Sequence, residues 1–90
     1  MEFTKHAATR MQQRALDTQV VHWLNRYGRR VHGKNGDVIV HFDKKSRRRL
    51  SASLSREEFV RIEKKLDAYL VEMDGLVITV GYRYKRVRTH

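Results

Sequence analysis

The sequence predicts a single α+β domain in which helices pack on a small, mostly antiparallel sheet. Apolar residues recur at helical spacing in the first part of the chain. Further on, Asn35-Gly36 and Asp74-Gly75 each separate two strand-like segments. Between these turns, Ser55 begins a capping-box pattern typical of a helix start. Because 90 residues suit one modest core, we assign residues 1–90 to one domain.

Two helices are predicted at the N-terminus. The first covers residues 4–15, with Thr4 as N-cap, and the second covers residues 18–27, with Asp17 as N-cap. Gly28 follows at the position of a C-terminal capping glycine. The first helix also carries a polar stripe at positions i, i+4 and i+8, formed by His6, Arg10 and Arg14.

A hairpin and a basic segment follow. Strands 29–33 and 38–42 flank Asn35-Gly36, a pair that favours a turn with positive φ at both positions. Asp43 is placed to cap a basic helix within residues 43–54, although an irregular loop is an alternative. Alternation in the second strand separates Val38, Val40 and Phe42 from Ile39 and His41.

The last third of the chain predicts a helix and a second hairpin. The helix begins at Ser55 and ends near Asp67. Strands 68–73 and 76–84 flank Asp74-Gly75. Strict alternation in the last strand predicts one face made of Leu76, Ile78, Val80, Tyr82 and Tyr84.

The charge is large and unevenly distributed. With 20 basic and 10 acidic residues the net charge is +10, which attracts polyanions. Residues 55–75 carry a net charge of −2, so the other residues carry +12. Arginine supplies 13 of the basic side chains, and its guanidinium binds phosphate bidentately and stacks on bases. We therefore predict a nucleic-acid-binding surface formed by Arg14, Lys44, Lys45, Arg47, Arg48, Arg49, Tyr82, Arg86 and Arg88.

Composition excludes several other classes of protein. The absence of cysteine excludes disulfide scaffolds and thiolate chemistry. The five histidines lack metal-ligand spacing, so we expect neither a metal nor a cofactor. No apolar run is long enough for a membrane span, and the first residues lack the apolar region of a secretory signal. We expect a cytoplasmic protein without a membrane partner.

RNA can be cleaved without a metal, because the ribose 2′-hydroxyl can attack the adjacent phosphate. The reaction needs a base, an acid and cations that stabilise the added charge. His6 and Arg10 on the first helix, and the end of the last strand, offer such groups. Two alternatives stay open: His6 caps or packs the first turn, and Tyr82 or Tyr84 belongs to the core.

The segment from His6 to Arg14 resembles the HAxxRMxxR opening of a family of small bacterial domains of unknown function, and residues 78–88 are similar to that family's C-terminal strand. That family is placed near the RelE and BrnT toxins of toxin–antitoxin pairs. The resemblance implies a RelE-like fold, with two N-terminal helices and a later helix on the sheet. It also implies mRNA cleavage, often on the ribosome, and neutralisation by an acidic antitoxin.

The leading hypothesis is therefore a toxin that acts as a metal-independent endoribonuclease. Its predicted catalytic residues are His6, Arg10, Arg83, Tyr84 and Lys85. Two other functions stay open: a non-catalytic RNA- or DNA-binding module, and a basic domain that binds an acidic protein.

Overall fold

A five-stranded, mostly antiparallel sheet forms the centre of the protein, and helices cover one of its faces. The computed structural model describes residues 2–83. In chain order the strands are β1 (Glu2–Phe3), β2 (Arg29–His32), β3 (Asp37–His41), β4 (Ala68–Met73) and β5 (Leu76–Tyr82), and their spatial order is β1-β5-β4-β3-β2. The helices are α1 (Lys5–Gln13), α2 (Thr18–Tyr27), α3 (Lys44–Ser53) and α4 (Arg56–Ile62), followed by the 3₁₀ helix Glu63–Asp67. The predicted α+β class is confirmed.

Local capping signals define where the helices begin. The N-cap side chain of each α-helix accepts a hydrogen bond from a backbone N–H in the first turn, and these caps are Thr4, Asp17, Asp43 and Ser55. All four were predicted as N-caps. The segment after Asp43, for which the sequence allows a helix or an irregular loop, is the helix α3. The predicted helix up to Asp67 divides into α4 and the 3₁₀ helix.

Two features near the chain's turns differ from the prediction. The Asn35-Gly36 hairpin forms, but of these two residues only Gly36 has a positive φ (83°), so the turn is not the predicted type. Gly28 has a φ of −65° and is not a left-handed capping glycine. It is required for close packing, because a Cβ there would overlap the Leu24 carbonyl oxygen and lie 2.7 Å from Val40 Cγ1.

The sheet contains two features that the sequence pattern did not predict. The short strand β1 pairs in parallel with β5. A register shift between Val71 and Glu72 also interrupts the regular pairing of β4 with β5. Because of this shift Val77 is buried together with Val80, so the predicted strict alternation along the last strand is wrong.

The core lies between the helices and one face of the sheet. Val40, Leu70 and Val80 stand opposite one another on adjacent strands and are almost completely buried. Together with Ala7 and Leu24 they form one apolar cluster. Within residues 2–83, none of the helices has the length and apolar character needed to cross a bilayer.

Candidate functional site

Polar side chains cross the open face of the sheet in a single transverse row. Arg29 on β2 pairs with His41 on β3, His41 pairs with Tyr69 on β4, and Tyr69 pairs with Gly81 on β5. His41 and Tyr69 each stand between two core residues of their strands, so their side chains point away from the helices, and cross-strand pairing places Arg29 on the same face. Cross-strand neighbours have Cβ atoms about 5 Å apart, so Arg29, His41 and Tyr69 occupy adjacent positions on this face.

His41 is the central residue of this site. It is half-buried, and burial is the largest factor that lowers its pKa below the usual 6.5. The charges of Arg83, Arg29 and Arg47 lower the pKa further, while Asp43 opposes them. Burial and the neighbouring arginines therefore favour the neutral imidazole, in which one ring nitrogen can accept a proton.

Tyr69 is held over a glycine. A Cβ placed on Gly81 would lie 3.0 Å from Tyr69 Cε1 and 3.1 Å from its hydroxyl oxygen. The ring therefore leans across β5, where the missing side chain leaves room for it. The Tyr69 ring therefore covers Gly81 on β5, and the surface over β3 is occupied by His41.

Arginines surround this row at one end of the sheet. The backbone N–H of Arg83 donates to the Asp67 carbonyl at 2.8 Å, which continues the pairing of β5 with β4 beyond Tyr82. A guanidinium nitrogen of Arg29 lies 3.7 Å from a carboxylate oxygen of Asp43. We call the four residues Arg29, His41, Tyr69 and Arg83 the His41 site. It combines a proton acceptor, a phenol and two cations.

Asp43 and Arg47 make hydrogen bonds and ion pairs next to the His41 site. The Ser46 hydroxyl and backbone N–H both donate to Asp43, and these bonds are the main reason that its pKa is lowered. Arg47 donates to the Leu66 carbonyl and to the Asp67 carboxylate, both at 3.0 Å. These bonds join α3 to the segment that leads into β4, so Arg47 has a structural role in addition to its charge.

The predicted helix stripe lies on the other side of the sheet. Ala7 is part of the core, and α1 packs on β5 and β1, so α1 belongs to the helix-covered face. His6 is exposed there, whereas Arg10 and Arg14 are half-buried. His6 and Arg83 therefore belong to opposite faces, and the structure does not bring α1 and the His41 site into one constellation.

The predicted nucleic-acid-binding residues are divided among several places. Lys44, Lys45, Arg48 and Arg49 are exposed on α3. Tyr82 packs against the core, which agrees with the alternative that it is a core residue. The predictions for Tyr84, Lys85, Arg86 and Arg88 lie outside the described residues. Among residues 2–83, no group of three or more histidine or acidic side chains is placed to hold a metal ion.

The sequence contained one signal for the His41 site. The alternation of residues 38–42 places His41 on the face opposite Val40, and Val40 is a typical core residue. The partners Arg29 and Tyr69 come from other strands, however, and only strand register identifies them. Comparison with known proteins adds no further constraint, because no protein-family model, curated protein or solved structure matches this chain.

Proposed function

We propose that the protein is a metal-independent endoribonuclease that cleaves RNA at the His41 site. The observation that carries this proposal is the position of His41 between Arg29 and Tyr69 on the open face of the sheet. A base of this kind, flanked by cations, is what cleavage by the ribose 2′-hydroxyl requires. An open sheet face also admits a flexible single strand more readily than a deep pocket would.

The proposed reaction is a transesterification within the RNA. His41 takes the proton of a 2′-hydroxyl, whose oxygen then forms a bond to the adjacent phosphorus while the bond to the 5′-oxygen breaks. Tyr69 donates its hydroxyl proton to the leaving 5′-oxygen. Arg29 and Arg83 stabilise the negative charge on the phosphate oxygens. The products are a 2′,3′-cyclic phosphate and a new 5′-hydroxyl end.

The direct test is cleavage of RNA in the presence of EDTA. The wild-type protein should produce 2′,3′-cyclic phosphate ends, detected by mass spectrometry, and should leave the matching 2′-deoxy oligonucleotide intact. His41→Gln should lower the cleavage rate about 10²-fold or more, and Tyr69→Phe should lower it less. The matched control is His22→Gln, because His22 is exposed on α2 and lies outside the site.

A His6→Gln variant separates this proposal from the sequence-based prediction. Full activity of His6→Gln and loss of activity in His41→Gln support the His41 site, whereas the reverse result assigns catalysis to α1. RNA binding that weakens steeply with salt, with no cleavage under any condition, contradicts the proposal and favours the non-catalytic nucleic-acid-binding module.

The toxin role is part of the same proposal. It rests on the basic surface and on the sequence resemblance, and it includes mRNA as the substrate and an acidic antitoxin as the partner. Expression in a bacterial host should arrest growth, and His41→Gln should relieve the arrest while His22→Gln should not. Arrest that persists in the His41→Gln variant at equal protein level would contradict a toxicity based on cleavage.

A further inference from the structure

A concave site lies beside the His41 site, where the end of α2 meets the start of α3. It has a volume of about 300 Å³ and is lined by Tyr27, Gly28, Arg29, Asp43, Lys45, Ser46 and Arg49. We call it the Tyr27 pocket. Arg29 lines this pocket and also pairs with His41 across the sheet, so the two sites are adjacent.

The Tyr27 pocket has an excess of positive charge. Its one carboxylate, Asp43, already accepts two hydrogen bonds from Ser46 and faces Arg29. Among the ion pairs of residues 2–83, neither Lys45 nor Arg49 has an acidic partner. Two exposed cations are therefore available to an anion that enters the pocket.

Two guanidinium groups lie close to the ring of Tyr27. The Cζ atoms of Arg26 and Arg49 lie 5.6 and 5.7 Å from the centre of its ring. A hydrogen bond involving Ser53 and the charges of the two arginines lower the pKa of the phenol. The two guanidinium groups place positive charge beside the phenol, and a phosphate oxygen at the mouth of the pocket would be attracted by the same charge.

We propose that the Tyr27 pocket binds the phosphate of a nucleotide unit adjacent to the one cleaved at the His41 site. Lys45 and Arg49 hold the phosphate oxygens, and Tyr27 forms the wall against which Arg49 is oriented. The volume lies at the lower end of the range for small-ligand sites, which suits one nucleotide. This proposal rests on the proposed function for the identity of the strand, but binding in the pocket does not require cleavage.

The test is an NMR titration of the ¹⁵N-labelled full chain with inorganic phosphate, uridine 5′-monophosphate and uridine. Uridine 5′-monophosphate should shift the amide signals of Gly28 and Ser46 to saturation, and uridine should not. Arg49→Gln should weaken this binding about tenfold, the effect of removing one charge-assisted hydrogen bond. Arg61→Gln, which removes the same charge from the exposed face of α4, is the matched control.

Uncleavable 2′-deoxy oligonucleotides with and without a 5′-phosphate identify the source of the phosphate. Tighter binding of the phosphorylated form indicates a terminal phosphate, and equal binding indicates an internal phosphodiester. Shifts that spread over all basic residues without saturation, or that weaken equally in Arg49→Gln and Arg61→Gln, overturn the pocket proposal. Saturable binding at Gly28 and Ser46 without any RNA cleavage overturns the proposed function and retains a nucleotide-phosphate site.

Discussion

The two faces of the sheet consist of alternate residues of the same strands, but they differ in burial. On the helix-covered face, Val40 and Leu70 have no exposed surface. On the open face, His41 and Tyr69 occupy the neighbouring positions, and Val31 nearby is 42% exposed. The side chains of the covered face stabilise the fold by being buried, and close packing restricts their size and shape. The side chains of the open face are less restricted by packing, so polar and titratable groups can occupy it.

The largest expected effect is a loss of stability when the covered face is truncated. Leu70→Ala removes a fully buried side chain from the centre of the sheet and should lower the free energy of unfolding by about 2–5 kcal/mol. Val31→Ala on the open face should change it by less than about 0.5 kcal/mol. Urea denaturation of both variants measures the difference, and equal losses would mean that the open face is also packed.

Substitution of two glycines, one beside the core and one on the open face, should also give different losses of stability. Gly28→Ala forces a Cβ against the Leu24 carbonyl and Val40, so it should lower the free energy of unfolding by about 1–3 kcal/mol. Gly81→Ala contacts the Tyr69 ring, which can rotate away, so it should lower stability by less than about 1 kcal/mol. If the His41 site cleaves RNA, Gly81→Ala should nevertheless lower cleavage, because it displaces Tyr69. Thermal denaturation and the EDTA cleavage assay together test this contrast.

The sequence predicted features that depend on local chemistry. The caps Thr4, Asp17, Asp43 and Ser55 were recognisable because each bonds to a backbone N–H within its own first turn. Strand β1 was missed because it pairs with residues 76–77, far along the chain, and two residues carry no periodic pattern. The register shift between β4 and β5 was missed because it depends on how the two strands pair, which the alternation of apolar residues in either strand alone does not give. The His41 site depends on the register of four strands, so the sequence alone could place His41 on a face but could not give its neighbours.

A third prediction concerns the hydrogen bonds of Arg47 that join α3 to the segment before β4. Arg47→Met removes the hydrogen bonds to Leu66 and Asp67 that join α3 to the segment before β4, and it should lower the free energy of unfolding by about 1–2 kcal/mol. Arg48→Met removes the same charge at an exposed position and should leave stability within about 0.5 kcal/mol of wild type. Equal stability of the two variants in urea would show that Arg47 contributes only its charge.

The smallest expected effect is a pH dependence of stability that comes from the open face. Burial and three arginines lower the pKa of His41 in the folded protein, so the unfolded chain binds the proton more tightly. Stability should therefore fall as the pH decreases below about 6.5, through the lowered pKa of the folded state. The lowered pKa of Asp43 contributes a separate loss in more acidic solution, below about 3.8.

Histidine NMR titration of the folded protein gives the pKa of His41 directly, and urea denaturation at several pH values gives the stability. His41→Gln should flatten the dependence that begins below about pH 6.5 and leave the more acidic loss associated with Asp43. If the His41 site is catalytic, the cleavage rate should increase with pH through the same lowered pKa and then level off, because the base must be neutral. An ordinary His41 pKa, with an unchanged stability profile in His41→Gln, would mean that this imidazole is solvated like a surface histidine, and the contrast between the two faces would then be one of packing alone.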